Sequence, residues 1–365
     1  MKQASTLRIF ISDCEGPISK NDNAYELISN FVPDGNRLFT LISRYDDVLA
    51  DIVKKPDYKA GDTLKLILPF LKAYDVTNKT IEEYSARNVL LVPEAKKALG
   101  FIKSFMPTFI VSTSYEQYMR ALCSLIDFPF ENVYCTKLDM DKIRIDQRET
   151  SEIRKLREEL VNMPVPEIPR NANSLSDFTN EHKMVIKRLD EIFWNEISQM
   201  KIGSVFHEVN PVGGKEKAEA IEKVVRKLRA SLRNVMYVGD SITDVEAFRL
   251  VRGGGGLTLA FNGNSFAVRE AETAVMSENA LTTGVIADVF NKSGKDGVIN
   301  IIKKWNRATM EKLDLHLPLK ESFFKLSERK FPKVELVTAK NMGRLMLESS
   351  SFRKSVRGEA IGKLG

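Results

Sequence analysis

The sequence has few of the residues that mark several common kinds of functional site. Its three cysteines, Cys14, Cys123 and Cys135, are too scattered for a disulfide framework or a zinc-binding pair. Its three histidines are far apart in the chain, which argues against a histidine-based metal site. No apolar run approaches the roughly 20 residues that a membrane helix needs, and the N-terminal segment lacks the apolar stretch of a signal peptide. We therefore expect a protein of the reduced, cytoplasmic compartment without a membrane span.

Charge is unevenly distributed along the chain. The formal net charge is +6, but residues 291–365 carry 17 Lys and Arg against 8 Asp and Glu, which leaves −3 for the other 290 residues. A basic C-terminal segment can bind nucleic acid, anionic lipid or an acidic protein. No nucleic-acid-binding module is recognisable in it, so nucleic acid is the least favoured partner. A solvated helical face is the simplest interpretation, and an acidic protein partner is the alternative.

Short apolar runs alternate with amphipathic segments over most of the chain. Helical periodicity fills residues 23–89 and returns between most of the later apolar runs. Strands are predicted at residues 7–12, 108–112, 132–136, 205–209, 234–238, 257–261 and 273–277. This alternation predicts an α/β fold with a Rossmann-like, doubly wound parallel sheet.

The same pattern divides the chain into three parts. Residues 1–22 and 90–292 are predicted to form the α/β core, which a charged helical insertion interrupts at about 139–200. Residues 23–89 are predicted to form a helical cap inserted after the first strand. Residues 293–365 are predicted to form a basic helical C-terminal extension without a strong strand.

Carboxylates follow two of the predicted strands. Asp13 and Glu15 come directly after the first strand, and Asp240 and Asp244 follow the strand at 234–238. Because the carboxyl ends of parallel strands meet at one edge of a sheet, we expect these side chains to share a site. One carboxylate of a pair can attack a phosphorus atom while the other transfers protons. The second pair supplies the oxygen ligands that Mg²⁺ prefers.

Hydroxyl and ammonium groups complete this arrangement. Ser112 and Thr113 end the second strand, where hydroxyl and N–H groups can bind phosphate oxygens, although helix capping is an equally ordinary use. Lys215 or Lys217 opens a helix, where a cation opposes the helix dipole and therefore indicates another role, such as neutralising a phosphate. The order of all four groups is more specific than any one of them.

In this order, DCEGPI, the strand end at Ser112, the lysine and GDSITD resemble the four motifs of the haloacid dehalogenase (HAD) superfamily. The resemblance covers about residues 7–292. The most similar branch is the phosphoserine-phosphatase-like one, which also carries a helical cap between its first two motifs. The segment DCEGPIS and the long insertion also resemble archaeal HAD-like proteins described as accessory subunits of an energy-converting hydrogenase.

The resemblance implies a Mg²⁺-dependent phosphatase that hydrolyses a small phosphorylated metabolite through an aspartyl-phosphate intermediate. It implies that Asp13 is the nucleophile, that Glu15 is the general acid and base, and that Lys217, rather than Lys215, steadies the charge. The implied Mg²⁺ residues are Asp13, Glu15 (through its backbone carbonyl), Asp240 and Asp244. The implied substrate-binding residues are Asp22, Ser112, Thr113, Lys217 and Asn262.

The sequence departs from the family pattern at three places, of which Pro17, where the family has Thr or Val, stiffens the loop toward the cap. Glu15 stands where the family has Asp, and the extra methylene moves the carboxylate by roughly 1.5 Å when the side chain is extended. The predicted cap has no arginine in residues 63–72, where the phosphoserine-phosphatase-like branch binds a substrate carboxylate, which argues against phosphoserine as the substrate. Glu15 and the basic C-terminal segment support a second hypothesis, a catalytically weak HAD-derived accessory or binding subunit of a larger complex.

Overall fold

A mostly parallel sheet forms the centre of the protein. The structure is a computed structural model that describes residues 7–169, 172–328, 330–362 and 364. Its strands are β1 (Ile9–Ser12), β2 (Thr108–Tyr115), β3 (Val133–Thr136), β4 (Val235–Gly239), β5 (Leu257–Phe261), β6 (Thr273–Met276) and β7 (Lys333–Leu336). Over these residues they form one seven-stranded sheet in the order β3-β2-β1-β4-β5-β6-β7. Every neighbouring pair is parallel except β6 and β7, so the predicted Rossmann-like α/β fold is confirmed.

Helices fill the connections between the strands. Between β1 and β2 lie α1 (Asn23–Phe31), α2 (Gly35–Asp47), α3 (Thr63–Leu66), α4 (Leu68–Ala73), α5 (Asn78–Asn88) and α6 (Ala95–Phe105). Between β2 and β4 lie α7 (Glu116–Ile126), which precedes β3, and then α8 (Gln147–Val161), α9 (Asn180–Glu191), α10 (Val205–Glu208) and α11 (Lys215–Lys227). Between β4 and β7 lie α12 (Val245–Gly253), α13 (Ser265–Glu270), α14 (Leu281–Ile302), α15 (Arg307–Glu311) and α16 (Leu317–Leu326). After β7 come α17 (Met342–Arg357) and α18 (Glu359–Gly362).

Helices cover the sheet on both faces. On one face α6, α7, α14 and α16 share a hydrophobic cluster with Phe10 of β1, and on the other α11, α12, α13 and α17 share one with Ile9 and Ile11. Successive side chains of a strand point to opposite faces, so each strand contributes to both clusters. Strands β1, β4, β5 and β6 are buried along their whole length, which explains why they are continuous apolar runs in the sequence.

The order of the strands reverses at β1. Strands β2 and β3 add to one side of β1, and β4 to β7 add to the other. Ser12 is in register with Val238 of β4, and the N–H of Asp13 donates to the carbonyl of Val238 at 2.8 Å. In open α/β sheets, ligands bind outside the carboxyl ends of the strands at such a reversal. The loops after β1 and β4 meet at this place.

Helices α1 to α5 form a second body with the charged segment that the sequence placed in the core. One hydrophobic cluster joins the residues of α1–α5 to those of α8, α9 and α10. Within it the rings of Tyr45 and Phe193 stack with their centroids 5.8 Å apart. The predicted cap and residues 139–200 are therefore packed against each other, while the division into domains stays a prediction.

One prediction of local structure is wrong. The predicted strand at 205–209 is instead helix α10 with its C-cap Val209, because Val205, Phe206 and Val209 are buried with helical spacing, and so short an apolar run fits either structure. The C-terminal extension is helical, as predicted, apart from β7, which is the antiparallel edge strand of the sheet. Its sequence, KVEL, is short and half charged, as edge strands often are.

Among the residues described here, no helix combines the length and the apolar character that are needed to cross a membrane.

Candidate active site

A cavity lies at the carboxyl ends of β1 and β4. Its walls come from the loops after β1 and β4, the end of β2, helix α2 with the segment that follows it, and the C-terminal segment with α17 and Leu364. Its basic lining residues are Arg353 and Arg357. Its acidic lining residues are Asp13, Glu15, Asp22, Asp46, Asp47 and Asp240. Among the residues that the structure describes, the walls therefore carry more negative than positive side chains.

Lys217 joins two of the carboxylates at the bottom of this site. It lies in the first turn of α11, is fully buried, and places its Nζ 2.7 Å from Oδ2 of Asp13 and 2.7 Å from Oδ1 of Asp244. Burial alone would lower the pKa of the Lys217 ammonium, but the two carboxylates outweigh it and raise that pKa. Lys215 lies at the surface beside Glu219, so the structure brings only Lys217 of the two candidate lysines to the site.

The loop after β4 is wrapped around the carboxylate of Asp244. Its Oδ1 accepts from the hydroxyl of Tyr237 at 2.7 Å, and its Oδ2 accepts from the N–H groups of Asp240 and Ser241 at 2.8 and 3.0 Å. A Cβ at Gly239 would lie only 2.4 Å from Cγ of Asp244, so this close approach requires glycine. Four donors, including Lys217, therefore hold Asp244 in one orientation.

Three carboxylates lie close enough together to bind one metal ion. Asp13, Asp240 and Asp244 each offer an oxygen, and these oxygens lie within 4.8 Å of one another. All three residues are buried. A group of carboxylate oxygens with room for water suits Mg²⁺, which is usually held by one or two carboxylates and keeps several waters. Burial raises the pKa of Asp13 to about 7 even though Lys217 opposes the shift, and a bound cation would relieve this cost.

Comparison with known sequences and structures places this site in a family. The profile of haloacid dehalogenase-like hydrolases matches residues 72–302, which include Ser112, Lys217, Asp240 and Asp244. The chain belongs to the haloacid dehalogenase-like hydrolase family. None of the curated proteins matches its sequence. The resemblance read from the motifs is thus confirmed for the superfamily, whereas the phosphoserine-phosphatase-like branch and the accessory-subunit resemblance stay predictions.

Two solved structures illustrate the range of its structural relatives. A gene product from Archaeoglobus fulgidus has 25% sequence identity, is aligned over 99% of both chains, and superposes with a TM-score of 0.79. Phosphoserine phosphatase in its apo form has 12% identity over 75% of this chain and 96% of that one, with a TM-score of 0.42. The first similarity spans the whole fold of this HAD-like hydrolase, including the C-terminal extension.

Glu15 and Asp22 lie together at the N-terminus of helix α1. Oε1 of Glu15 accepts from the N–H of Asn23 at 2.8 Å, and Asp22 caps the helix by accepting from the N–H of Tyr25 at 3.0 Å. Burial raises the pKa of Glu15 well above its usual range, and the charge of Asp22 raises it further. Burial likewise raises the pKa of Asp22. The raised pKa favours the protonated form of Glu15, which is the form that a general acid needs.

The two hydroxyl residues at the end of β2 are placed differently. Ser112 is buried, and its Oγ lies 3.1 Å from Oγ of Ser114 and accepts from the N–H of Ser114 at 3.2 Å. Thr113 lines the cavity, and its buried Oγ1 has no hydrogen-bond partner among the described residues. An unpaired buried hydroxyl is costly, so Thr113 has a donor available for a ligand oxygen.

Asn262 lies between the ends of β5 and β6. Its Nδ2 donates to the carbonyl of Ser277 at 2.8 Å, and its Oδ1 accepts from the N–H of Ser277 at 2.9 Å. Both polar groups of the side chain are therefore used to join two loops. Its contact with a phosphate stays a prediction.

Arg353 and Arg357 of α17 are functional candidates that the sequence analysis missed. Both side chains are 4% exposed, and Nη1 of each contacts Oδ2 of Asp240, at 3.0 Å in the case of Arg357. The interpretation of the basic segment as a solvated face is thus wrong for these two residues. A signal was present in the spacing, because Leu345, Ser349 and Arg353 are the buried residues of α17 and Arg357 continues the same four-residue period.

Asp46 of α2 makes the stability of the protein depend on pH. Burial raises its pKa to about 7, and the charge of Asp62 adds to the effect, while bonds from the Tyr58 hydroxyl at 2.6 Å and the Gly61 N–H at 2.9 Å oppose it. A carboxyl with a raised pKa binds its proton more tightly in the folded than in the unfolded chain. Its stabilising contribution is therefore complete below about pH 4 and is lost as the pH rises through about 7.

The variant Asp46→Asn mimics the protonated side chain at every pH. We expect it to match the wild type at about pH 3.5 and to be more stable at pH 8, by at most about 4 kcal/mol for a pKa difference of about three units. Urea unfolding at both pH values measures this difference. Asp57→Asn, at an exposed position of the next segment, is the control and should keep the wild-type profile. Equal stabilities of Asp46→Asn and wild type at pH 8 would contradict the prediction.

Proposed function

We propose that this protein is a Mg²⁺-dependent phosphatase that hydrolyses a small phosphomonoester, with Asp13 as the nucleophile. The observation that carries the proposal is the position of the Asp13 carboxylate. Its Oδ1 accepts from the N–H of Cys14 at 2.6 Å, and its Oδ2 contacts Lys217 at 2.7 Å, so both oxygens are held at the edge of the sheet. The adjacent Asp240 and Asp244 complete a group that can bind a cation.

The reaction follows from the two carboxyl groups of the first loop. A carboxylate oxygen of Asp13 attacks phosphorus, the bond from phosphorus to the ester oxygen breaks, and the Glu15 carboxyl gives its proton to the leaving alcohol. Glu15, now ionised, takes a proton from a water molecule that attacks the aspartyl-phosphate. The phosphorus–oxygen bond to Asp13 breaks, which releases inorganic phosphate and restores both side chains.

Charge stabilisation is shared between Lys217, Thr113 and the metal site. Lys217 keeps the Asp13 oxygen negative and close, and the free hydroxyl of Thr113 can donate to a phosphate oxygen. Mg²⁺ held by Asp13, Asp240 and Asp244 would supply the positive charge that draws electrons from the phosphoryl group. Within the described part of the chain, the cavity walls carry six acidic side chains against two arginines, which fits such a cation.

A catalytically weak accessory or binding subunit is the second candidate. Two observations favour it. Glu15 replaces the Asp of the family, and the arginines of α17 already contact the Asp240 carboxylate that would bind the metal. A partner that binds the C-terminal extension stays a prediction.

Phosphate release separates the two functions. We expect the purified protein to release phosphate from para-nitrophenyl phosphate or from a member of a panel of phosphorylated metabolites in the presence of Mg²⁺. We expect the release to stop in EDTA and to return when Mg²⁺ is added in excess, because the carboxylates repel the substrate without the cation. A folded protein that binds Mg²⁺ but releases no phosphate from any substrate would favour the accessory subunit.

A further inference from the structure

Helix α17 is fixed on the core in front of the active site. Leu345 is buried in the hydrophobic cluster beneath α12 and α13, and Oγ of Ser349 donates to the carbonyl of Gly263 at 2.6 Å. Beyond the helix, Leu364 is buried in the cluster of the cap helices and lines the cavity. The C-terminal segment therefore bridges the core and the cap, and it carries its two buried arginines to a defined position.

Arg357 is held by the backbone of the loop after β1. Its Nε donates to the carbonyl of Lys20 at 3.0 Å, its Nη2 donates to the carbonyl of Asn21, and its Nη1 contacts Oδ2 of Asp240 at 3.0 Å. These carbonyl contacts do not depend on the charge of Asp240. Arg357 should therefore keep its position when the charge at Asp240 changes.

Arg353 depends on Asp240 for the hydrogen bonds that fix its guanidinium. Its Nη1 donates to Oδ2 of Asp240 and, at 3.2 Å, to the carbonyl of the same residue. Its Nε is buried and has no hydrogen-bond partner within the described part of the chain, although the residue is only 3% exposed. An unpaired buried guanidinium N–H is costly and is suited to an anionic oxygen. Thr113 contributes a second unpaired donor to the same cavity.

A cation bound to Asp240 would weaken the attraction between this carboxylate and the two arginines. The carboxylate would then neutralise a divalent ion as well as two guanidinium groups, and the positive charges would repel each other across a poorly hydrated site. Arg357 is tied to carbonyl groups, whereas Arg353 has a free N–H and faces the cavity. Arg353 is thus the group that a cation would release from Asp240.

We propose that Arg353 is a substrate-binding residue that the C-terminal helix supplies, and that it transfers from Asp240 to the phosphate group of the substrate when Mg²⁺ binds. The inference rests on the proposed function for the identity of the anion. It requires positive coupling, in which Mg²⁺ increases the affinity for phosphate and phosphate increases the affinity for Mg²⁺ by the same factor.

Calorimetric titrations with Mg²⁺ alone and with inorganic phosphate test this transfer without any turnover. In the wild type, phosphate should bind more tightly at saturating Mg²⁺ than in EDTA. In Arg353→Gln, phosphate should bind roughly ten- to a hundred-fold more weakly at saturating Mg²⁺, which is the loss expected for one charge-assisted hydrogen bond. The same variant should bind Mg²⁺ more tightly than the wild type when phosphate is absent, because a competing cation is gone.

The matched control is Arg344→Gln on the same helix. Arg344 also contacts carboxylates, those of Glu335 and Glu348, but at the surface, so its loss should leave both affinities unchanged. Unchanged phosphate binding in Arg353→Gln, or weaker Mg²⁺ binding, would overturn the inference. If Arg353→Gln does not fold, Arg353→Lys keeps the charge without the Nε–H, and wild-type phosphate affinity in that variant would also overturn it.

These titrations and the phosphatase assay can fail independently. A protein that hydrolyses no ester but loses phosphate affinity in Arg353→Gln would retain the inference and reject the proposed function. A phosphatase whose Arg353→Gln variant binds both ions as the wild type does would retain the function and reject the inference.

Discussion

The variant Asp13→Asn is expected to lose phosphatase activity by roughly a thousand-fold or more, because it removes the group that attacks phosphorus. An amide nitrogen carries no negative charge and cannot form the acyl phosphate. The substitution keeps the shape of the side chain, and one amide oxygen can still accept from the N–H of Cys14. We therefore expect a folded protein that lacks a nucleophile at this position.

Acid quenching during turnover gives the measurement that is most specific for this role. Wild-type protein should carry covalently bound phosphate from a radiolabelled substrate, and Asp13→Asn should carry none. The control is Asp288→Asn in α14. Asp288 is also buried, accepts from the backbone N–H of His316 at 2.7 Å and lies near Lys292, but it is outside the cavity. Its variant should keep wild-type labelling, and labelled Asp13→Asn would exclude Asp13 as the nucleophile.

The variant Lys217→Met is expected to destabilise the folded protein by about 3–5 kcal/mol at pH 8, the usual effect of removing one partner of a buried ion pair. Lys217 is the cation within 2.7 Å of both Asp13 and Asp244, and its loss leaves two buried carboxylates with less compensation. Methionine has a similar length and fills most of the space, so the loss reports mainly on charge.

The size of this loss should depend on pH. Asp13 has a pKa of about 7 in the presence of Lys217, and without that cation its pKa will be higher. At pH 5.5 Asp13 in the variant will be protonated, and it will no longer require a counter-charge. The destabilisation should therefore be smaller at pH 5.5 than at pH 8 in urea unfolding. Lys215→Met removes an exposed lysine of the same helix turn and should have little effect at either pH. A loss of stability in Lys217→Met that is equal at the two pH values would contradict the interpretation that Lys217 is the counter-charge of an ionised Asp13.

Site residues could be predicted from the sequence where a local pattern, such as the end of a buried strand, marks them. Asp13 and Asp240 follow β1 and β4, and both strands are buried on two faces, so their apolar runs marked where the polar loops begin. Parallel strands then bring those loops to one edge of the sheet without any further information. The first turn of α11 could be predicted equally well, and although its residue pattern left Lys215 and Lys217 as alternatives, the family resemblance favoured Lys217.

Contacts between distant segments could not be predicted from local sequence patterns. Arg353 and Asp240 are separated by 113 positions, and the buried period of α17 does not say which surface covers it. The sequence of the charged segment at 139–200 likewise does not indicate which part of the fold it packs against, since its apolar stripes fit the cap or the core equally well. The short runs at 205–209 and in β7 were ambiguous because a few residues satisfy both periodicities.

Local sequence patterns are enough to predict the α/β sheet, the order of its motifs and the carboxylates at its edge, because burial on both faces and strand-end position leave such patterns. The tertiary structure buries Lys217, which the family resemblance favoured over Lys215, between Asp13 and Asp244. It also decided that a basic C-terminal helix turns two arginines inward onto Asp240. Such choices depend on the electrostatic balance of groups from several segments, and that balance exists only when packing has removed water from around them.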